Sequence, residues 1–202
     1  MSESSPGWPA RLDYGPITLR PLRTADADDW RRVRGVNRDW LQPWDATMPP
    51  GSGGKPVTFP QLVRRLRQQA RRGQTLPFVI EVHGRFAGQI TVSNVVRGSA
   101  QFASIGYWLD QRWAGQGVMP VAVALVIDHC FASVGLHRIE IAVRPENSNS
   151  LRVVEKLGIH EVGYAPRYLH IDGNWCDHRL FAVTAEECPG GMLNRVLAAR
   201  EA

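Results

Sequence analysis

The stretch Ser104-Ile105-Gly106-Tyr107-Trp108-Leu109-Asp110, followed at once by Gln111-Arg112-Trp113-Ala114-Gly115-Gln116-Gly117 and then by the apolar run from Val118 to Ile127, decides the reading of this chain. It predicts a strand that passes through a glycine-bearing loop into a buried helix. Such a loop presents main-chain N–H groups at a helix N-terminus, where unsatisfied donors and the positive end of the helix dipole favour phosphate. Glycines at 115 and 117 let the backbone approach an anion with no Cβ in the way. A dinucleotide fingerprint needs three glycines as G-x-G-x-x-G, and a P-loop needs Gly-Lys-Ser/Thr; neither is present, since Gly117 is followed by Val118, Met119 and Pro120. The pattern points to a pyrophosphate on some other cofactor.

Working outward, residues 1–14 read as a flexible tail, rich in Ser, Pro and Gly. Ile17, Leu19 and Leu22 mark a short strand, and Thr24 stands where the N-cap of a helix over 25–39 belongs, ahead of Asp26, Asp28 and Asp29. Residues 40–60 form a long loop with Trp40, Trp44 and the cluster Gly51-Ser52-Gly53-Gly54. Leu62, Val63, Leu66 and Ala70 then follow helical spacing, with Arg64, Arg65, Arg67, Arg71 and Arg72 on the other faces. Strands over 76–84 and 86–96 flank a turn at His83-Gly84-Arg85, and a third strand covers 102–110. A helix over 118–134, a strand over 137–143, a helix over 148–157, strands over 159–170 and 176–184, and a terminal helix after Pro189-Gly190-Gly191 complete the series. The order is strand, two helices, three strands, helix, strand, helix, two strands. It predicts an α/β fold on a mixed sheet with helices on both faces, because the crossover forces parallel neighbours and the hairpins antiparallel ones. The expected division is a tail at 1–14, one catalytic domain at 15–185 and a partly helical C-terminal extension at 186–202.

At 202 residues with 44% hydrophobic and 21% charged content, the chain is long enough for one buried core. The apolar run from Val118 to Ile127 is interrupted by Pro120 and closed by Asp128, about half the roughly 20 residues a membrane helix needs. The first residues carry no apolar secretory segment, so a cytoplasmic protein is expected. Cys130, Cys176 and Cys188 are odd in number and widely spaced, which fits reduced thiols. Of 24 basic residues only Lys55 and Lys156 are lysines, and the net charge is +5. Two readings stay open for the arginines: a nucleic-acid or ribonucleoprotein surface, or ordinary solvated helix faces.

A second segment runs Arg138-Ile-Glu-Ile-Ala-Val-Arg-Pro-Glu-Asn147-Ser-Asn-Ser150 and on through Leu151-Arg-Val-Val-Glu-Lys156-Leu-Gly158. With the first, it closely resembles the GNAT superfamily of acetyl-CoA-dependent N-acetyltransferases. Ile-Gly-Tyr-Trp-Leu-Asp, Pro-x-Asn-x-x-Ser, Glu-Lys-Leu-Gly, the early Asn37-Arg-Asp-Trp-Leu-Gln-Pro-Trp44 and the late Gly173-Asn-Trp-Cys-Asp177 are similar to the RimJ and RimL branch, which acetylates ribosomal-protein N-termini. The resemblance implies the GNAT acyl-CoA N-acyltransferase fold and acetyl-CoA as the acetyl donor. Arg112, Trp113, Ala114, Gly115, Gln116 and Gly117 would wrap the CoA pyrophosphate, with Val118 and Met119 starting the helix behind. Trp108 and Leu109 would lie along the pantetheine arm, in a sheet opened between this strand and that at 137–143. Asn147 matches the asparagine that holds the pantetheine; as a residue it also suits a helix N-cap. Ile159 stands where the family usually has phenylalanine, a core exchange.

Ser150, carried over from the same pattern, is the candidate acid for the CoA thiolate as well as a cofactor contact; a serine in a first helical turn also satisfies backbone donors. Glu140 and His170 are candidate bases, with a salt bridge and a surface histidine as their alternatives. A main-chain N–H from Trp108 to Asp110 is expected to meet the thioester oxygen. Trp40, Trp44 and Asp45 border the expected acceptor groove, where the tryptophans either touch substrate or pack a lid; Asp45 or Asp39 would attract an ammonium. No metal site is expected, since His170-x-Asp172 and Cys176-x-His178 lack a four-ligand set. The expected reaction is direct transfer of acetyl to a protein N-terminal α-amine, with a ribosomal protein as partner. A small amine (antibiotic or polyamine), a lysine side chain, a non-catalytic acyl-CoA sensor and an RNA-binding module on helix 59–72 are the alternatives. Direct nucleic-acid binding and membrane association are not expected, and the chain is a monomer or homodimer.

Overall fold

The computed structural model describes residues 5–52 and 57–201. Eight strands form one mixed sheet in the order β1-β2-β3-β4-β5-β6-β8-β7. They are β1 (Leu12–Tyr14), β2 (Ile17–Pro21), β3 (Leu76–Val82), β4 (Arg85–Val96), β5 (Phe102–Leu109), β6 (Arg138–Val143), β7 (His160–Ile171) and β8 (Asn174–Thr184). Six helices complete the fold: α1 (Ala27–Val36), α2 (Arg38–Leu41), α3 (Phe59–Arg71), α4 (Val118–Ala132), α5 (Ser148–Lys156) and α6 (Met192–Glu201). Every neighbouring pair of strands is antiparallel except β5 and β6, which α4 links. That one parallel pair follows from the crossover, which returns the chain to the edge it left.

The sheet is covered on both faces. On one side Leu22, Val33, Val63, Val79 and Phe86 pack α1 and α3 against β3 and β4. On the other, α4, α5 and α6 cover a larger core that includes Phe78, Ile80, Ile90, Ile139, Val154 and Met192. α4 is apolar on all sides because it lies between the sheet and α6; Val121 through Ala124, Val126, Ile127 and Cys130 are fully buried. Alternation along β5 sorts its side chains, with Ala103 and Ile105 in the larger core and Trp108 against the smaller one.

Three local expectations are corrected. The described part of the tail is packed: β1 pairs with β2, Trp8 meets Phe78 edge-on with ring centres 5.0 Å apart, and His129 Nε2 donates to the Gly7 carbonyl at 2.8 Å. Residues 1–4 lie outside the described residues, as do Gly53, Gly54 and Lys55 of the long loop. The helix over 25–39 is broken into a 3-10 turn at Thr24–Asp26, α1 and α2. Thr24 does not cap it; the Arg23 N–H donates to the Asp26 carboxylate at 2.7 Å, and Arg20 bridges Asp26 and Glu81, each at 2.8 Å. The break falls at buried Asn37, whose Nδ2 donates to the Val33 carbonyl at 2.8 Å while its Oδ1 accepts the Gln111 N–H at 2.9 Å. A side chain that satisfies the end of α1 and the start of the glycine loop together has no hydrophobic signature. The β3–β4 turn is also tighter than expected, with only His83 and Gly84 between the strands, both at positive φ as such two-residue turns require.

Candidate active site

The site is built where the sheet comes apart. β5 pairs with β6 through Phe102, Ala103 and Ser104 only; beyond Ser104 the strands diverge and β6 continues against β8. A cavity of about 500 Å³ occupies the gap, and Gly106, Tyr107, Trp108 and Leu109 line it. The direction of the free backbone groups follows from alternation. The Asp110 N–H donates to the Ala87 carbonyl of β4 at 2.7 Å, so the N–H and C=O of Leu109 point the other way, into the gap. Trp40 Nε1 already donates to the Leu109 carbonyl at 3.2 Å. Within the expected Trp108–Asp110 segment, the donor facing the cavity is therefore the Leu109 N–H, and Asp110 is excluded because its N–H is taken.

From Asp110 the chain turns through a 3-10 turn at Gln111–Trp113 and reaches α4 with Gly115 and Gly117 both at φ of 75°. Open space lies where a Cβ of Gly115 would sit. Trp113, Ala114, Gly115, Gly117, Val118 and Met119 line the cavity. Arg112 and Gln116 do not; they shape the loop instead. Arg112 turns back to the buried Asp110 carboxylate at 2.6 Å, and Gln116 Nε2 donates to the Arg112 carbonyl at 2.6 Å. Burial alone would raise the Asp110 carboxyl, but hydrogen bonds from Arg112, and from Asn37 beside it, outweigh burial and hold it below the usual range. A fixed anion at Asp110 thus locks the entry to the loop.

On the opposite wall stands the first turn of α5. Asn147 Oδ1 accepts the Ser150 N–H at 3.0 Å, which makes Asn147 the N-cap; both residues also line the cavity. The two readings of Asn147 are compatible, since the cap uses only its oxygen. Ser150 neighbours Tyr107, a residue that motif reading left without a role. Burial pushes the Tyr107 phenol up to about 12, and Ser150 opposes the shift. The contact falls short of a hydrogen bond, so the Tyr107 hydroxyl is buried without a partner, as is Trp113 Nε1. Two orphaned polar atoms on one cavity are what a site shaped around an absent polar ligand shows.

Both candidate bases lie off the cavity wall. Glu140 is held by Arg138 at 2.7 Å at the end of the paired part of β5 and β6. His170 is buried beneath the long loop, with Nδ1 2.7 Å from Thr47 Oγ1 and its ring edge-on to Trp175. It pins the loop, helped by the Ala46–Ile171 bridge and the Thr47 N–H on the His170 carbonyl at 2.9 Å. Trp40, Trp44 and Asp45 do reach the cavity, while Asp39 is exposed elsewhere. Arg144 lies 5.5 Å over Trp44, and Arg34 binds Asp45 while lying 5.3 Å over Trp108. Sequence reading missed Gln89, Thr91 and Ser93, the polar cavity-lining residues of β4 that alternate with buried Ile90 and Val92, and it missed Arg152 and Lys156 on α5. Period-two polarity in a central strand was the available signal for the first three. Among the described residues no three His, Cys, Asp or Glu side chains converge on a metal position, and no helix is long and apolar enough to cross a membrane.

A glycine loop at the start of a buried helix, a strand with unpaired backbone on its open side and orphaned donors on the same cavity together define an acyl-CoA site of the N-acetyltransferase kind. Residues 17–160 match the family model described as "Acetyltransferase (GNAT) domain", and the chain belongs to this family. Among solved structures it is similar to Mycobacterium smegmatis RimJ in complex with CoA-disulfide, with 41% identity, a TM-score of 0.90, and 96% of this chain and 97% of that one covered. It is 33% identical over 172 residues to the Bacillus subtilis (strain 168) protein named "Probable N-acetyltransferase YjcK", covering 83% of this chain and 93% of that one. It is 31% identical over 170 residues to the [ribosomal protein uS5]-alanine N-acetyltransferase of Escherichia coli (strain K12), covering 82% and 87%.

The residues fit CoA. Main-chain N–H groups from Gly115 to Val118 would hold its phosphates, since those of Trp113 and Ala114 are spent on the Asp110 and Gln111 carbonyls, and Asn147 would hold its pantetheine amides. When bound, acetyl-CoA supplies an activated acetyl thioester.

Proposed function

We propose that the protein transfers acetyl from acetyl-CoA to the N-terminal α-amine of a protein, with a ribosomal protein as the acceptor, by direct attack in a ternary complex in the cytoplasm. The observation that carries this reading is the open strand edge at Leu109 beside the Gly115–Gly117 loop, in a chain 41% identical to a RimJ that binds a CoA disulfide. The alanine N-acetyltransferase named for ribosomal protein uS5 supports the acceptor class.

The chemistry asks little of a base. An α-amine with pKa near 8 is roughly a tenth neutral at pH 7, a deficit of about 1.4 kcal/mol, whereas a lysine near 10.4 faces about 4.6 kcal/mol. A cavity wall without a histidine or a glutamate suits the first acceptor better than the second. Asp45, the carboxylate on that wall, is neutralised by Arg34 and helps to shape the groove, and Trp40 and Trp44 flank the path of the incoming amine. The amine forms the C–N bond as the C–S bond breaks, the Leu109 N–H stabilises the developing oxyanion, and the Ser150 hydroxyl gives a proton to the departing sulfur and regains the one the amine releases.

The test is a panel of N-terminal peptides, lysine peptides with blocked N-termini and small amines, assayed for CoA release. Turnover concentrated on free peptide N-termini is expected. Turnover on small amines or lysines alone overturns the acceptor assignment, and CoA binding without turnover on any acceptor overturns the enzymatic one.

A further inference from the structure

α6 lies outside the residues that match the family model, and its far end reaches the cofactor loop. It is fixed at its start by α4: the Asp128 carboxylate accepts the Met192 N–H at 2.6 Å and the Leu193 N–H at 2.9 Å, with Met192 and Val196 buried beneath. From there α6 runs back along α4 toward its N-terminus, a distance of about 12 Å for the eight residues to Arg200 at 1.5 Å each. There Arg200 Nη2 donates to the Gly117 carbonyl at 2.6 Å. The guanidinium occupies the space that a side chain at Gly117 would fill.

This is an unfavourable place for a cation. Gly117 is the N-cap of a 15-residue helix, whose positive end repels a guanidinium and attracts an anion. Arg200 has no carboxylate partner among the described residues, and neither have Arg152 and Lys156, which line the cavity from α5. Trp113 Nε1, in the same loop, is a buried donor without an acceptor. Arg200 touches the loop and Arg152 and Lys156 line the cavity, a placement that an anion arriving with the ligand explains.

We propose that Arg200 is a phosphate ligand of the bound cofactor, and that α6 is a clasp that delivers it to the Gly115–Gly117 loop. The proposal rests on the CoA reading above. In the complex the guanidinium turns from the Gly117 carbonyl to a CoA phosphate, a charge-assisted bond that arginine's planar fork suits.

Calorimetry on the full chain with CoA, dephospho-CoA and pantetheine tests it, using Arg200→Gln and Arg200→Lys. Arg200→Gln is expected to weaken CoA about tenfold, the scale of one hydrogen bond to a charged group. Arg200→Lys should recover part of the loss, and pantetheine, which has no phosphate, should bind both variants as it binds the wild type. A loss that persists with dephospho-CoA assigns the bond to the pyrophosphate, and one that disappears assigns it to the 3′-phosphate; either supports the proposal. CoA affinity within twofold of wild type for Arg200→Gln overturns it, as does an equal loss for pantetheine, which would mean that the change disturbs packing. A wild-type chain that does not bind CoA overturns the cofactor reading itself, and this inference with it.

Discussion

At the residue scale the site turns on how Ser150 and Tyr107 share a wall of the cavity. The N-cap bond of α5 uses the backbone N–H of Ser150, so Ser150→Ala keeps the cap and removes only the hydroxyl. If that hydroxyl protonates the leaving sulfur, kcat should fall by about a hundredfold, within the range for general acids, with KM for acetyl-CoA nearly unchanged. Steady-state kinetics at saturating acceptor checks this; a loss confined to KM would assign Ser150 to cofactor binding. Tyr107→Phe separates stability from function differently. The hydroxyl is buried with no partner, so its removal breaks no bond and Tm should hold or rise, while turnover drops if the ligand is what satisfies it. Thermal melting and kinetics on the same preparation report both. Ser150 was legible as a motif position, whereas Tyr107 stood inside a quoted motif and drew no notice, because burial of its hydroxyl depends on how β5 and α5 meet and not on its neighbours in the chain.

At the element scale the glycine loop and α6 make separable contributions. Gly115 and Gly117 share a φ of 75°, a backbone cost of about 1–2 kcal/mol for any L side chain. Their surroundings differ, since a Cβ at 115 enters open cavity and one at 117 meets Arg200. Gly115→Ala should therefore lower CoA affinity with modest loss of Tm, and Gly117→Ala should lower both and displace Arg200; calorimetry beside melting curves distinguishes them. Asp128→Ala removes the carboxylate that starts α6, a loss of about 1–2 kcal/mol that lowers Tm by roughly 2–8 °C in a chain of this size. Every strand from β2 to β8 was legible from alternation and turn residues; β2 to β6 and β8 bury residues in the two cores, while β7 is a largely exposed edge strand. β1 was not, because three half-exposed residues carry no pattern. Nor was the break at Asn37, because one polar side chain reaching to Gln111 across 74 positions leaves no local trace.

At the scale of the whole molecule, the two misplaced bases show why function was less legible than fold. Glu140 and His170 were chosen by residue type and strand position, but whether a side chain faces a cavity depends on where the sheet splits. β6 carries Glu140 on the paired side of that split, and His170 faces the loop it anchors. The described part of the N-terminal segment was likewise hidden, since Trp8 joins the core, and Gly7 meets His129, only once α4 lies beside them. That contact gives the fold a pH dependence. His129 is buried, and its Nε2 proton is held by the Gly7 carbonyl, so the neutral ring is the form that fits. Burial pushes its pKa below 6.5, with the Gly7 contact opposing, and His178 is lowered in the same direction, chiefly by burial. Below 6.5 the unfolded chain therefore binds protons that the folded chain refuses, so stability is complete above that value and falls as the pH drops toward the folded pKa. Melting temperatures measured from pH 8 down to 5.5, above the range in which ordinary carboxylates titrate, should decline. His129→Gln keeps an amide donor for Gly7 and has nothing to protonate, so its decline should be shallower, with the remainder left to His178; a slope equal to that of the wild type would show that the contact between the N-terminal segment and α4 does not titrate.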